Sequence, residues 1–533
     1  MTDQSARHAT RLDLVALEVA RHRLESVAEE VGTALIRTSY SPNIKDRRDC
    51  SAGIYAPDGE LIAQAEHIPL HLGLMPSLIN AAVADVGRSQ LRPGDVLITN
   101  NPYLGGSHLP DTCVITPVHD GDELVALVAN MAHHVDVGGS TPGSMAADTT
   151  EIFQEGIRIP PMKLIAGGRP RSDVLRLLMA NVRTHEKTRG DLMAQVAANE
   201  LGARRLRELV AEWGVQGLHE ACLALVEYAE RRTRAALAEL PDGTGTFTDY
   251  LEHTGTRRAD IPIVATARKN GGELDVDLTA SADQVDGAVN CSSAIAEACI
   301  AYVVKMLTDP TLPSNAGLLR PITVTTRPGS VVSARFPAPV ANGNTQTAQR
   351  IVDVLLGACQ AIVPGRVPAA SSGSMSIVTV GGRHPRTGEY FSYVETYGGG
   401  QGAHPLLAGA DAVHTHMTNT RNTPCEVIER EYPLLVRRYE VARDTGGAGR
   451  HRGGAGLIRE LELTEGEAVT VVATARVDRQ PWGLDGGEPG RPAVVRAVLD
   501  GEEVELPAMS RLTLSAGDRV HIQTAGGGGY GLA

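Results

Sequence analysis

Residues 100–139 read NNPYLGGSHLPDTCVITPVHDGDELVALVANMAHHVDVGG, and this stretch predicts a small antiparallel sheet. Three apolar runs of strand length, at 96–99, 112–118 and 124–132, are separated by segments rich in Gly, Pro and Asp. The turn at 119–122 is short enough to join the second and third runs as a hairpin. If the three strands form a meander, the loop before the second strand and the end of the third lie at the same edge of the sheet.

Side chains of the types that bind metal ions are predicted at that edge. His108 and Asp111 occupy the glycine-rich loop, and His133 and His134 follow the third run. Imidazole nitrogens together with a carboxylate oxygen suit Zn, Mn or Fe. Because neighbours on a strand point to opposite faces, we expect one of the two adjacent histidines to coordinate and the other to orient a ligand. The alternative is that these polar loop residues only form local hydrogen bonds.

Other patterns in the chain carry a weaker signal. His67 and His71 are four residues apart and His414 and His416 are two apart, spacings that suit a metal but are more often structural. The glycine-rich stretches contain no G-x-x-x-x-G-K-[ST] phosphate loop, and no G-x-S-x-G nucleophile elbow occurs. The sequence therefore offers neither a P-loop nor an α/β-hydrolase serine.

Composition narrows the class of protein. The 533 residues are 42% hydrophobic and 21% charged, which is typical of a globular protein with two to four domains. A formal net charge of -13 argues against nucleic acid as the main partner. The seven cysteines form no C-x-x-C pair, the N-terminal MTDQSARHATRLD has no apolar signal region, and no apolar run approaches the roughly 20 residues that span a bilayer. We therefore predict a cytoplasmic protein with reduced thiols and no membrane segment.

The order of predicted elements indicates an α+β fold with several domains. Residue spacing predicts helices at 13–38, from about 75, at 173–239 (three helices, with a break near 214–217), at 292–307 and at 345–363. Alternation predicts strands at 246–251, 261–268 and 273–278 and many short strands near the C-terminus. We divide the chain into a mixed N-terminal region with the metal site (1–165), a helical segment (166–242), a central α/β region (243–425) and a β-rich C-terminal region (426–533).

Several stretches together resemble one protein family. They include NPYLGGSHLPDTCVITPV, ANMAHHVDVGG, TEIFQEGIRIPP, GNTQTAQRIVDVLLGA, HTHMTNTRNTP and PWGLDGGEPG, and they run in order from about residue 13 to the end of the chain. The sequence resembles the hydantoinase B/oxoprolinase family. That family includes N-methylhydantoinase B-type subunits, the corresponding half of 5-oxoprolinase, and related subunits of acetone and acetophenone carboxylases.

The resemblance implies a partner and a set of metal ligands. Members work with a hydantoinase A-type subunit that binds ATP-Mg and phosphorylates or otherwise activates the substrate, and we expect an α2β2 heterotetramer. The metal ligands carried over from the family are His108, Asp111, His133 and, from the RRD segment, Asp49. The family's RRDF-S reads RRDC-S here, which places Cys50 beside the site.

The resemblance also implies a reaction, for which three hypotheses remain. The first is ATP-dependent hydrolysis of a cyclic amide (hydantoin, N-methylhydantoin or 5-oxoproline), with Glu151 or Glu155 as general base and His134 orienting a ligand. The second is ATP-dependent carboxylation of a ketone of the acetone or acetophenone type. The third is a non-catalytic assembly subunit with a structural metal.

Overall fold

The computed structural model describes residues 13–65 and 67–533. The N-terminal sequence behind the prediction of no secretory signal therefore lies almost wholly outside the described residues. Helices and antiparallel sheets alternate along the chain, which confirms the predicted α+β class. No described helix combines the length and apolar character that a membrane crossing requires.

A seven-stranded sheet with helices on both faces forms the N-terminal part. Its elements are α1 (Leu14–Thr38), α2 (Pro42–Lys45), β1 (Cys50–Tyr55), β2 (Leu61–Gln64), α3 (Pro69–Val86), β3 (Val96–Thr99), β4 (Asp111–Asp120), β5 (Glu123–His133), β6 (Met162–Ala166), β7 (Arg169–Pro170), α4 (Ser172–Asn181) and α5 (His185–Ala238). The strand order is β2-β1-β5-β4-β3-β6-β7, and all neighbours are antiparallel. Strands β3, β4 and β5 form the predicted meander.

Successive residues of β5 face two different hydrophobic cores. Leu127, Ala129 and Met131 belong to the large central core that includes α3, whereas Val128 and Ala132 belong to the core under α1 and α5. This is the period of two that a strand imposes on its side chains. The parity of a residue in β5 therefore decides which side of the sheet its side chain reaches.

Two predicted helices, α3 and α5, are confirmed, and the structure defines the start of the first and the break in the second. Helix α3 begins at Pro69, earlier than predicted, because proline at the first helical position has a suitable φ and its missing N–H is not needed there. His71 thus lies in the first helical turn, while His67 precedes the helix. The predicted break in α5 occurs at Gly214, whose φ of 74° interrupts the helix.

The central part contains a four-stranded sheet packed against helices. Its elements are β8 (Gly243–His253), β9 (Arg258–Asn270), β10 (Glu273–Asp277), α6 (Ser293–Leu307), α7 (Ala316–Leu319), β11 (Ile322–Thr325), a π-helical turn (Gly343–Thr347) and α8 (Ala348–Gln360). The order is β11-β10-β9-β8, with β10 and β11 parallel. The large core joins α3, α6 and α8 to this sheet.

Two further sheets complete the chain. Their elements are β12 (Ile377–Arg383), β13 (Tyr390–Thr396), α9 (Cys425–Glu431), β14 (Leu434–Ala442), β15 (Gly456–Leu463), β16 (Glu467–Ala473), β17 (Val494–Leu499), β18 (Glu502–Glu505), β19 (Met509–Ser515) and β20 (Arg519–Gln523). The sheet orders are β13-β12-β16-β19 and β14-β15-β20-β17-β18. The first of these combines strands from both sides of the predicted boundary at 425/426, so the last two regions share a sheet; the division into four domains stays a prediction.

Candidate metal centre

Three acidic or imidazole side chains lie at one edge of the N-terminal sheet. Asp111 begins β4 and is paired in register with His133, the last residue of β5. Asp49 immediately precedes β1, on the other side of β5, and its carbonyl oxygen accepts a hydrogen bond from the His133 N–H at 3.0 Å. Antiparallel pairing thus places side chains from three neighbouring strands in one row.

The loop before β4 brings His108 to the same place. Gly105 has a φ of 104°, and a Cβ there would lie 2.8 Å from the Leu78 nitrogen of α3, so the loop requires glycine to press against that helix. His108 Nδ1 lies 3.0 Å from the Ala341 carbonyl oxygen and donates to it, because a carbonyl only accepts. His108 Nε2 is then directed to Asp111 Oδ2, 3.2 Å away.

The donor set fits a divalent metal ion. One ligand atom from each of His108, Asp111 and His133 lies within 4.8 Å of the others, and all three side chains are buried. Asp111 Oδ2 accepts from Ser107 Oγ, while Asp111 Oδ1 is buried without a hydrogen-bond partner among the described residues. A buried carboxylate oxygen without a donor is unfavourable unless a cation compensates it, so the residues present fit the implied ion.

The electrostatics of the cluster favour a cation. Burial lowers the pKa of His108, but the Asp111 carboxylate, the Ala341 carbonyl and Asp49 together outweigh burial, and the net pKa is raised. Burial likewise opposes ionisation of Asp111, yet His108 and His71 hold its pKa well below the usual value. Burial lowers the pKa of His133 to about 4, so this imidazole is neutral at pH 7 and available as a ligand.

Asp49 shares the cavity with these three residues but is held by an arginine. It is 8% exposed, and its Oδ2 lies 3.6 Å from Arg47 Nη2. Arg47 is itself fully buried, donating from Nη1 to the Val394 carbonyl oxygen at 2.7 Å and from Nη2 to Thr396 Oγ1 at 3.0 Å. Arg47 thus ties this edge of the N-terminal sheet to β13. The place of Asp49 in the same cavity is compatible with a fourth ligand, and that role remains a proposal.

His71 is a further residue of the site, which its spacing from His67 in the sequence does not reveal. Its Nε2 lies 3.4 Å from Asp111 Oδ2 and its Nδ1 lies 3.3 Å from Ser51 Oγ, with 2% of its surface exposed. The side chain therefore contacts the same carboxylate oxygen as His108. The available signal was H-x-x-x-H, but His67 lies outside the helix and packs against Gly32 of α1, so the pair does not act together.

The cavity around these groups is small and has one apolar side. Its volume is about 30 Å³, roughly room for one water molecule or an ion. Ile68, Leu70, Met375, Ile377 and Met417 form the apolar side. Asn344 and Thr345, from the π-helical turn, complete the polar side together with the residues described above.

Comparison with known proteins identifies the family. The sequence profile described as Hydantoinase B/oxoprolinase matches residues 13–533. The chain belongs to this family. The predicted resemblance is thereby confirmed.

Relatives of this hydantoinase B/oxoprolinase family member differ in length. A 5-oxoprolinase of Arabidopsis thaliana is 36% identical over 97% of this chain, which spans only 42% of that relative. A protein of a Pseudomonas species, named as the putative B-type subunit of a D-/L-hydantoinase, is 33% identical over 98% of this chain and 90% of its own length. The family thus contains both long single chains and proteins named as subunits.

Two solved structures share the fold. The ATP-dependent caprolactamase of Pseudomonas jessenii has a TM-score of 0.90 and 31% identity, covering 98% of this chain and 91% of its own. A nucleotide-free acetone carboxylase structure has a TM-score of 0.88 over 99% of this chain and 77% of its own. Its 18% identity shows likeness of fold alone.

The structure does not bring the predicted general bases of this family member to the cavity. Glu151 is exposed at the start of a short 3-10 turn, and the described residues that line the cavity include neither Glu151 nor Glu155. The buried Glu155 carboxylate accepts from the backbone N–H groups of Val340 and Ala341 at 2.9–3.0 Å and from Thr149 Oγ1 at 2.9 Å. Glu155 therefore fixes the segment whose carbonyl orients His108.

His134 and Cys50 lie on the other side of the sheet. His134 directly follows β5, and its Nε2 is 2.9 Å from Gln195 Oε1 of α5, on the side that the alternation along β5 predicts. Cys50 belongs to the core under α1 and α5, and burial raises the pKa of its thiol. Neither residue is among the described residues that line the cavity. His134 can act on the centre only through the strand that it anchors.

His414 and His416 do not form a metal pair in the described structure. His414 is half-buried beside Thr420, with its Nε2 3.4 Å from the threonine Oγ1. His416 Nε2 instead lies 3.4 Å from Asp353 Oδ1. The contacts of this pair therefore favour a structural role over metal binding.

Burial of Glu155 makes stability depend on pH. Burial raises its pKa to about 7 from the usual 4.5, so the folded chain binds this proton more tightly than the unfolded chain between these values. The free energy of unfolding therefore falls as pH rises from about 4.5 to 7, by about 3 kcal/mol at most. Glu155→Gln removes this dependence, and its thermal midpoint relative to wild type should rise between pH 5 and pH 8. The thermal midpoint of Glu151→Gln, at an exposed site, should differ from that of wild type by the same amount at each pH. A constant difference for Glu155→Gln would contradict the prediction.

Proposed function

We propose that this chain is the metal-binding subunit of an ATP-dependent enzyme that hydrolyses cyclic amides such as hydantoin, N-methylhydantoin or 5-oxoproline. The proposal depends on the buried group of His108, Asp111 and His133, in a chain whose relatives are named for the hydrolysis of ring amides. In the net reaction, one water opens the ring C–N bond to a carboxylate and an amine, and a second cleaves ATP to ADP and phosphate.

The chain's own residues would hold and orient the reacting groups. His108, Asp111 and His133, with Asp49, would hold a Zn, Mn or Fe ion, which supplies polarisation of the ring carbonyl and a bound water of lowered pKa. The Ala341 carbonyl fixes the His108 ring, and Ser107 and His71 hold Asp111 Oδ2, which leaves Oδ1 available. The apolar wall of the cavity limits access of bulk water.

A second polypeptide would use the ATP. The sequence contains no P-loop motif, one relative is named as the B component of a hydantoinase, and the 5-oxoprolinase relative is more than twice as long as the region matched. We assign ATP-Mg to a hydantoinase A-type partner in an α2β2 complex, which activates the ring before this chain completes its opening. The location of such a complex would be the cytoplasm.

Co-expression of the two chains tests the proposed function. The purified complex should contain about one divalent ion per copy of this chain. It should open at least one of hydantoin, N-methylhydantoin, 5-oxoproline and ε-caprolactam with matching release of ADP, and this chain alone should not. ATP consumption that needs bicarbonate and acetone would support the ketone carboxylase instead. Full ring-opening activity of a metal-free complex would show that a metal is either structural or absent from the enzyme.

A further inference from the structure

The π-helical turn that precedes α8 presents an amide side chain to the metal cavity. The turn has the sequence GNTQT, and all five of its residues are buried. A Cβ on Gly343 would lie 2.0 Å from the Asn290 carbonyl oxygen, so the turn is packed directly against that backbone. Single π-helical turns occur frequently at functional sites. This packing fixes Asn344, the next residue, beside the cavity.

Asn344 has one of its two polar groups unsatisfied. It lines the cavity with 6% of its surface exposed, and its Nδ2 lies 3.2 Å from His108 Nε2. Its Oδ1 is buried and has no hydrogen-bond partner among the described residues. Leaving a buried carbonyl oxygen unpaired costs about 1–3 kcal/mol, so a retained group of this kind calls for a ligand or water.

An ion in the site would leave the Nδ2 group of Asn344 without its present partner. The Nε2 lone pair of His108 would then face the ion, and Asn344 Nδ2 would lose that acceptor. Both Nδ2 and Oδ1 would be available on one edge of a rigid planar carboxamide. Asn344 lines the cavity together with the proposed ligands.

A ring amide is complementary to this edge. In a small ring the amide is cis, so its N–H and C=O lie on the same side, whereas the amides of open chains are almost always trans. A carboxamide can then donate to the ring oxygen and accept from the ring N–H at once. It also suits an activated ring whose nitrogen has lost its proton, since Nδ2 can donate to that nitrogen. A ketone has no N–H group that could donate to Oδ1.

We propose that Asn344 binds the amide edge of the substrate, with Nδ2 donating to the ring carbonyl oxygen and Oδ1 accepting from the ring N–H. The choice of ligand rests on the proposed function. The ring carbons would lie against Met375 and Met417, whose flexible thioether side chains must move, since about 30 Å³ does not hold a whole ring. Asn344 is thereby a residue that selects cyclic amides over ketones and open-chain amides.

Binding of ring amides to this chain alone tests the role of Asn344 without requiring turnover. With Mn(II) loaded into the purified chain, the proton NMR lines of 5-oxoproline, hydantoin or ε-caprolactam should broaden as each is titrated. The ring that binds wild type most tightly is then compared with its fully N-methylated derivative (1,3-dimethylhydantoin in the case of hydantoin), which has no N–H. Wild type should bind the N–H ring about 10-fold or more tightly than the N-methyl ring, since a site built around a polar group rejects analogues that lack it.

Two variants complete the experiment. Asn344→Leu, which keeps the branch at Cγ but has no hydrogen-bonding group, should weaken binding of the N–H ring about 10-fold or more and bring the two rings within about 3-fold of each other, with Mn(II) content unchanged. Gln346→Leu is the matched control: it lies in the same turn, is buried with an unpaired Oε1, and is not among the described residues that line the cavity. The Gln346→Leu variant should bind the N–H ring more tightly than the N-methyl ring, as wild type does.

The outcomes distinguish the two proposals. Equal binding of the N–H and N-methyl rings by wild type, an unchanged preference in Asn344→Leu, or no broadening of any ring by the loaded wild-type chain would overturn the role of Asn344. Absence of ATP-dependent ring opening by the two-chain complex, with the binding preference intact, would instead overturn the proposed reaction and leave Asn344 as a binding residue for cyclic amides.

Discussion

His133→Ala is expected to weaken binding of a divalent ion by more than about 100-fold, whereas His134→Ala leaves it within about 10-fold of wild type. The two residues are adjacent at the end of β5, but only His133 is on the cavity side. The imidazole of His133 lies beside Asp111, its register partner, and beside His108, 5.0 Å away between ring centres. His134 instead contacts Gln195 of α5.

Titration of each purified variant with Mn(II) or Zn(II), after treatment with a chelator, measures this difference. The same pair in the two-chain complex should show loss of ring opening for His133→Ala and partial retention for His134→Ala. Thermal midpoints recorded without metal show whether either variant fails to fold. Equal losses of metal affinity in the two variants, both folded, would refute the assignment of His133.

Arg476→Leu is expected to lower the free energy of unfolding by about 3–5 kcal/mol, because it removes one of the two buried arginines that compensate buried carboxylates. Arg476 is 1% exposed, and its Nη2 lies 2.8 Å from Asp249 Oδ2 and 2.9 Å from Asp353 Oδ2. Burial raises the pKa of Asp249, but Arg350 and Arg476 outweigh it and hold that pKa at about 2. The cluster connects β8 and α8 to the segment that follows β16.

The matched control is Arg386→Leu at an exposed pair. Arg386 binds Glu465 on the surface, with 75% of its side chain exposed, and solvent screens such pairs so that they stabilise a fold little. Urea midpoints of wild type and both variants, followed by circular dichroism, give the comparison. A shift for Arg476→Leu no larger than that for Arg386→Leu would show that the buried cluster does not stabilise the fold.

Much of the local structure follows from patterns within short stretches. The strand Val96–Thr99 was predicted without error, and β4, β5 and the break at Gly214 were predicted to within a few residues. These elements are specified by apolar periodicity and by turn residues, which act over fewer than about 20 positions. The start of α3 was predicted too late, because the proline that begins a helix also resembles a turn signal.

The sequence by itself determined the α+β class, the meander and the position of His108 and Asp111 beside the end of β5, since these depend on strand pairing between neighbours in the chain. Only the tertiary structure decided which of His133 and His134 reaches the cavity, and it excluded Glu151 and Glu155 from the described lining. It also brought in Asn344, more than 200 residues from His108 along the chain. Such contacts depend on how separate sheets pack, and no local pattern of residues encodes that packing.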